Sequence, residues 1–167
     1  MNLLTEGADA LGVPLSEKNE EKFSAYTRLL LEWNKKINLT SVTDEKEIII
    51  KHYLDSLSLG SAVDLKGKTL IDVGTGAGFP GIPLKILRED LAVTLLDSLE
   101  KRVRFLNEVI GCLSLDGIEA IHGRAEDYGV KQEYREKYDY ATARAVAELS
   151  VLCEYCLPFV KPGGLFI

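Results

Sequence analysis

The sequence predicts an α/β fold, a doubly wound, mostly parallel sheet of Rossmann-like type preceded by a helical extension. Three observations predict it. From Thr69 onward, short apolar runs of strand length alternate with helical stretches. The first run, Thr69-Leu70-Ile71-Asp72-Val73, leads directly into the glycine-rich turn Gly74-Thr75-Gly76-Ala77-Gly78 and then a helix. Before it, residues 1–66 carry helical periodicity without a strand pattern.

In the extension, Leu3, Leu4, Ala8 and Leu11 fit a short helix that Gly12 stops, with Pro14 just beyond. Ser16 suits the cap of a second helix. Its apolar positions Phe23, Tyr26, Leu30, Trp33 and Ile37 recur at spacings of three and four on one face. Asp44 and Glu47 have the spacing of a capping box for a third helix holding Ile48, Ile49, Tyr53, Leu54 and Leu57. A lysine- and glycine-bearing linker over 61–68 ends the extension, so the expected division is 1–66 and 67–167. Beyond it the expected strands are Thr69–Val73, Ala92–Leu96, Ile118–His122, Tyr138–Ala143 and Leu165–Ile167. The expected helices between them start near Gly81, Ser98, Tyr128 and Val146, the third a short polar helix near Tyr128–Lys137. Pro162-Gly163-Gly164 reads as a turn into the fifth strand. A parallel sheet needs both faces covered, so the chain reads as a fragment with further strands missing at its C-terminus.

Composition narrows the function classes. With 46% hydrophobic and 28% charged residues the chain is an ordinary globular one. No apolar run approaches the roughly 18 residues that span a bilayer, and no signal peptide is visible. Three cysteines suggest reduced thiols, and a cytoplasmic, monomeric protein is expected, with neither membrane nor metal. A net charge of −6 argues against a generic nucleic-acid coat but leaves room for a local basic patch.

The glycine turn is the candidate site. Glycines allow positive φ and let the backbone approach a ligand closely. Gly67-Lys68-Thr69 resembles the end of a P-loop, but Ala62 stands where a glycine is required, and the stretch precedes a strand instead of following one. Gly76-x-Gly78-x-x-Gly81 matches the dinucleotide pattern, with Asp97 near the place of a ribose-binding acid, which keeps an NAD-dependent oxidoreductase as an alternative. S-adenosylmethionine explains more residues. Asp72 ends strand one and suits the methionine ammonium; Gly74, Gly76 and Gly78 make room for the homocysteine and ribose. Asp97 ends strand two and can accept both ribose hydroxyls. Glu126 follows strand three and can accept from the adenine amine, beside the Ala125 backbone N–H. All stand at carboxyl ends of parallel strands, where open sheets bind ligands. Taken singly, Asp97 and Glu126 read equally well as helix caps or solvated acids.

Five stretches carry a family resemblance: Trp33-Asn34-Lys35-Lys36-Ile37-Asn38-Leu39-Thr40-Ser41, Lys51-His52-Tyr53-Leu54-Asp55-Ser56, Asp72 through Pro83, Leu95-Leu96-Asp97-Ser98 and Lys101-Arg102-Val103-Arg104-Phe105-Leu106. From about Phe23 to Ile167 the chain resembles the ribosomal small-subunit methyltransferase G family, also called glucose-inhibited division protein B. The resemblance implies a class I S-adenosylmethionine-dependent methyltransferase acting on guanine N7 in 16S ribosomal RNA, as naked RNA or in a small-subunit particle. It implies cofactor contacts at Gly74, Phe79, Ala125, Glu126 and Arg144. A non-enzymatic adenosyl-cofactor-binding RNA factor on the same fold is the other alternative.

Guanine N7 carries a lone pair, so no general base has to be supplied. The sequence agrees by omission. Ala141-Thr142-Ala143-Arg144-Ala145 lacks the Asn/Asp-Pro-Pro-aromatic pattern of amine methylation, and Cys153 and Cys156 fall on a helix beyond the strand ends. Cys112 reads as a packing residue, like the other two. Arg144, at the end of strand four, can pair with the cofactor carboxylate or an RNA phosphate. Lys101, Arg102 and Arg104, with Lys36 beside Trp33, are the candidate RNA contacts. His52 and Asp55 lie three apart on one helix face and receive no catalytic role.

Overall fold

The computed structural model describes residues 2–144 and 148–167. Among them the sheet has five parallel strands in the order β3-β2-β1-β4-β5. The strands are β1 (Thr69–Val73), β2 (Ala92–Asp97), β3 (Ile118–His122), β4 (Tyr138–Thr142) and β5 (Val160–Phe166). Order reverses between β1 and β4, whose register pairs Asp72 with Thr142. This switch point lies beside the glycine turn, where crossovers leave in opposite directions and open a crevice.

Period-2 alternation divides the core in two. Leu70, Val93, Leu95 and Tyr140 face one side; Ile71, Val73, Leu96 and Ala141 face the other. The first side is covered by α5 (Gly81–Leu87), α6 (Glu100–Cys112) and the extension, all in one continuous hydrophobic cluster. The second carries α7 (Ala125–Tyr128), α8 (Leu149–Cys156) and a 3₁₀ turn at Leu157–Phe159.

The extension holds α1 (Asn2–Ala10), α2 (Glu17–Asn34), α3 (Glu45–Ile48) and α4 (Asp55–Ala62). Ser16 caps α2 with a full capping box: Asn19 N–H donates to its Oγ at 3.2 Å, and Ser16 N–H donates to Asn19 Oδ1 at 2.9 Å. Asn19 then donates to the Ile86 carbonyl, tying the start of α2 to α5. The expected third helix is present, but a π-helical turn over Ile49–Leu54 joins α3 to α4. Only half of its capping box forms. Asp44 accepts from the Glu47 N–H at 3.1 Å, while the Glu47 carboxylate goes to Lys51 at 2.8 Å.

Two expectations beyond the linker need correction. The polar helix near Tyr128–Lys137 is instead α7 followed by turns. The N–H groups of Glu136 and Lys137 donate to the carbonyls of Pro158 and Phe159, so a helix through them has no claim on those donors. The fifth strand begins at Val160, not Leu165. Val160 pairs with Tyr138 and Leu165 with Tyr140, so Pro162-Gly163-Gly164 is accommodated as a bulge within the strand, with Gly163 at φ 83°. The expected start of the last helix at Val146, like Ala145, lies outside the described residues.

Candidate functional site

The turn after β1 is held from three directions. Gly74 and Thr75 donate their N–H groups to the Leu96 carbonyl at 2.8 and 3.2 Å, clamping the loop to the end of β2. Gly76 N–H donates to Asp97 Oδ2 at 2.9 Å. From the extension, the buried Tyr26 hydroxyl donates to the Ala77 carbonyl. Tyr26 was singled out in the sequence only as a core position. Its helical period reports burial and carries no signal for the polar tip. Gly74, Gly76 and Gly78 all have positive φ, at 68°, 62° and 96°. Gly78 is tighter than Gly76: a Cβ there would lie 2.5 Å from Ile82 Cδ1 and 2.7 Å from the Tyr26 hydroxyl.

Asp72 sits fully buried beneath this loop. Its Oδ2 accepts from Thr75 Oγ1 at 2.7 Å and Gly81 N–H at 2.9 Å. Its Oδ1 is buried with no hydrogen-bond partner. Burial pushes the carboxyl up to about 6, against the opposing pull of those two hydrogen bonds and the Arg144 charge. A buried polar atom left unpaired is costly, which marks this oxygen as a place for a donor that arrives with a ligand. The same carboxylate occupies the first amide of α5, so a pyrophosphate at that helix start would meet a like charge. This disfavours the dinucleotide reading.

Asp97 is also buried. Besides Gly76 N–H it accepts Leu99 N–H on Oδ1 at 2.9 Å, and the Arg102 guanidinium stands 3.5 Å from Oδ2. A carboxylate has about four lone-pair sites, so acceptor capacity remains. Next to it opens a cleft of ≈ 250 Å³, whose lining includes Val73, Gly74, Leu96, Ser98, Ala125 and Glu126. Ala125 is buried at its floor and Glu126 is exposed. The structure thus brings Gly74, Ala125 and Glu126 into one cleft. Gly76 is tied to it through Asp97, and Gly78 lies under the loop against Tyr26.

Phe79 and Arg144 stand on the extension's side of the loop. Phe79 is buried, and its ring stacks on His52 at a centroid distance of 4.5 Å and an interplanar angle of 15°. The Arg144 guanidinium lies 5.5 Å from the Phe79 ring centre and pairs with Asp55. His52 and Asp55, given no role from sequence, therefore meet a site residue that follows them by about ninety positions. No local pattern announces such a contact.

Of the candidate RNA cations, Arg102 is half-buried and turned to Asp97, and the other three lie on the outside. Lys101 and Arg104 are exposed, Arg104 pairing with Glu100 at 2.7 Å. Lys36 pairs with Glu32 at 3.2 Å and sits 5.6 Å from the Trp33 ring centre. Trp33 is half-buried against Phe105, at 5.8 Å between centroids, which brings the end of α2 alongside α6. Cys156 is buried, and burial pushes its thiol up to about 12. Cys112, expected to pack, is exposed at the solvent end of α6.

Comparisons with known proteins agree with this geometry. The family model described as rRNA small subunit methyltransferase G matches residues 19–167. The ribosomal RNA small subunit methyltransferase G of Acetivibrio thermocellus is 59% identical over 165 residues, covering 99% of this chain and 68% of that protein. The protein of the same name from Clostridium botulinum (strain Loch Maree) is 53% identical over 167 residues, covering 99% of this chain and 70% of that protein. Among solved structures, an S-adenosylmethionine-dependent methyltransferase from Thiobacillus denitrificans, in complex with S-adenosylhomocysteine, superposes with a TM-score of 0.57. It is 18% identical and covers 82% of this chain and 53% of that one. A second such complex, from Geobacter sulfurreducens, gives a TM-score of 0.53 at 20% identity, covering 66% of this chain and 45% of that one. At these identities the structures speak for the fold, and the curated relatives carry the assignment: the chain belongs to the rRNA small subunit methyltransferase G family.

Proposed function

We propose that the protein transfers a methyl group from S-adenosylmethionine to N7 of a guanine in 16S ribosomal RNA. One observation carries the cofactor part of the reading. A fully buried carboxylate with an unpaired oxygen, Asp72, lies under a glycine loop at the sheet's switch point, with the Arg144 charge close enough to act on it. A zwitterionic amino-acid tail fits that pair, its ammonium toward Asp72 and its carboxylate toward Arg144. Arg144 also has the chemistry to hold an RNA phosphate instead. Asp97 would accept the ribose hydroxyls with its remaining lone pairs. The cleft at Ala125 and Glu126 would take the adenine, with the Glu126 carboxylate accepting from its amine. When bound, the cofactor supplies an electrophilic methyl group on a sulfonium.

The chain's own residues then have to position and to shield. N7 attacks with a lone pair, so the site needs no base, and in-line placement supplies most of the acceleration. The purine gains positive charge as it reacts, which a nearby carboxylate stabilises. A thiol route finds no support from Cys156, whose thiol is buried and held protonated by that burial. In this reading RNA approaches over Lys36, Lys101, Arg102 and Arg104, and the protein works in the cytoplasm as a monomer. Its membership in a ribosomal RNA methyltransferase family supports that setting. Among the described residues no helix is long and apolar enough to cross a membrane.

The reaction is tested with the full-length protein, small-subunit RNA and labelled S-adenosylmethionine. Borohydride reduction followed by aniline cleaves RNA at N7-methylguanine and spares amine-methylated or carbon-methylated bases. Label transfer with strand scission at a guanine is expected. Label transfer without scission would retire the N7 assignment and leave a methyltransferase of another position.

A further inference from the structure

Two parts of the molecule remote in sequence, the Lys51–Asp55 stretch and the end of β4, meet at Arg144. Its guanidinium donates to the Asp55 carboxylate, to the Lys51 carbonyl at 3.4 Å and to His52 Nδ1 at 3.3 Å. A guanidinium only donates, so Nδ1 must be the unprotonated nitrogen of the ring. The proton then sits on Nε2, which donates to Thr40 Oγ1 at 2.9 Å. Thr40 is itself fixed: its N–H donates to Asn34 Oδ1 at 3.0 Å, its carbonyl accepts from Asn34 Nδ2 at 2.9 Å, and its Oγ1 accepts Val42 N–H at 3.1 Å. One run of hydrogen bonds therefore links the end of α2, the π-helical turn and the end of β4.

The run is directional. Asn34 sets Thr40, Thr40 sets the tautomer of His52, and the neutral imidazole presents an acceptor to Arg144. Stacking on Phe79 fixes the ring plane. The π-helical turn carries both Lys51 and His52 and leads into Asp55. Such turns gather at functional sites because they re-aim side chains within a helix.

We propose that His52 and Asp55 are positioning residues that act through Arg144, holding its guanidinium in the orientation that receives the carboxylate of S-adenosylmethionine. This rests on the cofactor reading above. A purely architectural ion pair accounts for less. The Asp55 and Arg144 side chains are 54% and 30% exposed, and an exposed pair contributes little to folding. What the arrangement does supply is a fixed direction for a side chain with four rotatable bonds, which lowers the ordering cost when an anion binds.

The test is calorimetry with S-adenosylhomocysteine on the full-length protein and folded variants, checked by circular dichroism. Asp55→Ala and His52→Phe should each weaken binding about fivefold, the scale of a half-exposed charge-assisted contact. His52→Phe keeps the stack on Phe79 and loses the acceptor. His52→Asn restores an acceptor at the Nδ1 place and should stay within about twofold of wild type. In an Arg144→Ala background, Asp55→Ala and His52→Phe should have no further effect. Equal losses for His52→Phe and His52→Asn overturn the proposal, and that contrast decides alone where Arg144→Ala leaves affinity too low to measure. So do losses that persist without Arg144, which would assign the pair to architecture, and wild-type affinity in both Asp55→Ala and His52→Phe. Failure of wild type to bind S-adenosylhomocysteine is a different result: it removes the cofactor reading itself, and this inference with it.

Discussion

On the cofactor reading proposed above, Asp72 is the residue on which binding and pH meet. Its carboxyl is raised to about 6 chiefly by burial, so near pH 5 most of the free protein holds it protonated. A cofactor ammonium favours the ionised form. Binding below pH 6 must therefore expel a proton, and affinity rises with pH until the carboxyl is already ionised. S-adenosylhomocysteine should bind roughly tenfold more weakly at pH 5 than at pH 7.5. Calorimetry in buffers of different ionisation enthalpy should register the released proton, and Asp72→Asn should abolish that release. A proton count unchanged by Asp72→Asn would place the linkage at another group. The loop glycines offer a second comparison at this scale. At Gly76 a methyl group meets nothing closer than the Gly74 carbonyl oxygen at 4.0 Å, so Gly76→Ala costs the left-handed backbone alone, about 1 kcal/mol. Gly78→Ala adds a collision with Ile82 and Tyr26, a further ~1–3 kcal/mol of overpacking. Chemical denaturation of the two variants should separate them in that order, and equal losses would show that the loop relaxes freely.

Among the elements, α2 carries the most connections. Its start is tied by Asn19 to α5, its middle by Tyr26 to the glycine loop, and its end by Asn34 to the Thr40 turn. An amphipathic helix thus also serves as a splint along the site. Ser16→Ala removes the Oγ half of the capping box and should cost about 1 kcal/mol. In a chain of this size that lowers the melting temperature by about 2–4 °C. Cofactor affinity should hold, because the Tyr26 and Asn34 bonds lie about three and five turns further on. A Ser16→Ala protein that melts normally but binds poorly would show that the helix start is coupled to the loop. The capping boxes also show how far element ends can be read ahead. Ser16 was legible as a cap and Asp44–Glu47 as a capping-box spacing, but the Asp44 box is half formed because Lys51 competes for Glu47. Lys51 is the i,i+4 neighbour of Glu47, so the competitor stands on the next turn of the helix.

For the molecule as a whole, the question is how an acidic chain meets RNA. With a net charge of −6, long-range attraction is absent and docking depends on a local patch. The Trp33–Phe105 contact sets the end of α2 against α6, placing Lys36 on the same flank as the helix that bears Lys101 and Arg104. Lys101 is exposed and makes no salt bridge to a described residue, unlike Lys36 and Arg104. Each phosphate contact contributes about 0.7–0.9 to the slope of log K against log salt. Lys101→Ala should lower that slope for small-subunit RNA by about one while leaving S-adenosylhomocysteine affinity unchanged. A slope equal to wild type would return Lys101 to the solvated face.

What the sequence determined by itself is what depends on neighbours along the chain. Strands β1 and β3, the glycine loop, the Ser16 cap and the acids at the ends of β1 and β2 all follow from periods of two or 3.6 and from the steric needs of single residues. The places of Gly74 and Gly76 in the turn after β1 and of Asp97 at the end of β2 were legible for the same reason. Tertiary structure alone decided the remainder. The bond from Tyr26 to Ala77, the unpaired oxygen of Asp72 and the convergence of His52, Asp55 and Phe79 on Arg144 depend on how the extension packs across the sheet. So does the bulge at Pro162-Gly163-Gly164, because register in β5 is set by Tyr138 and Tyr140 on another strand. Hydrophobic burial is nonspecific in partner and leaves its pattern in sequence as a period. A side-chain hydrogen bond between segments about ninety residues apart is specific in partner and leaves no period at all.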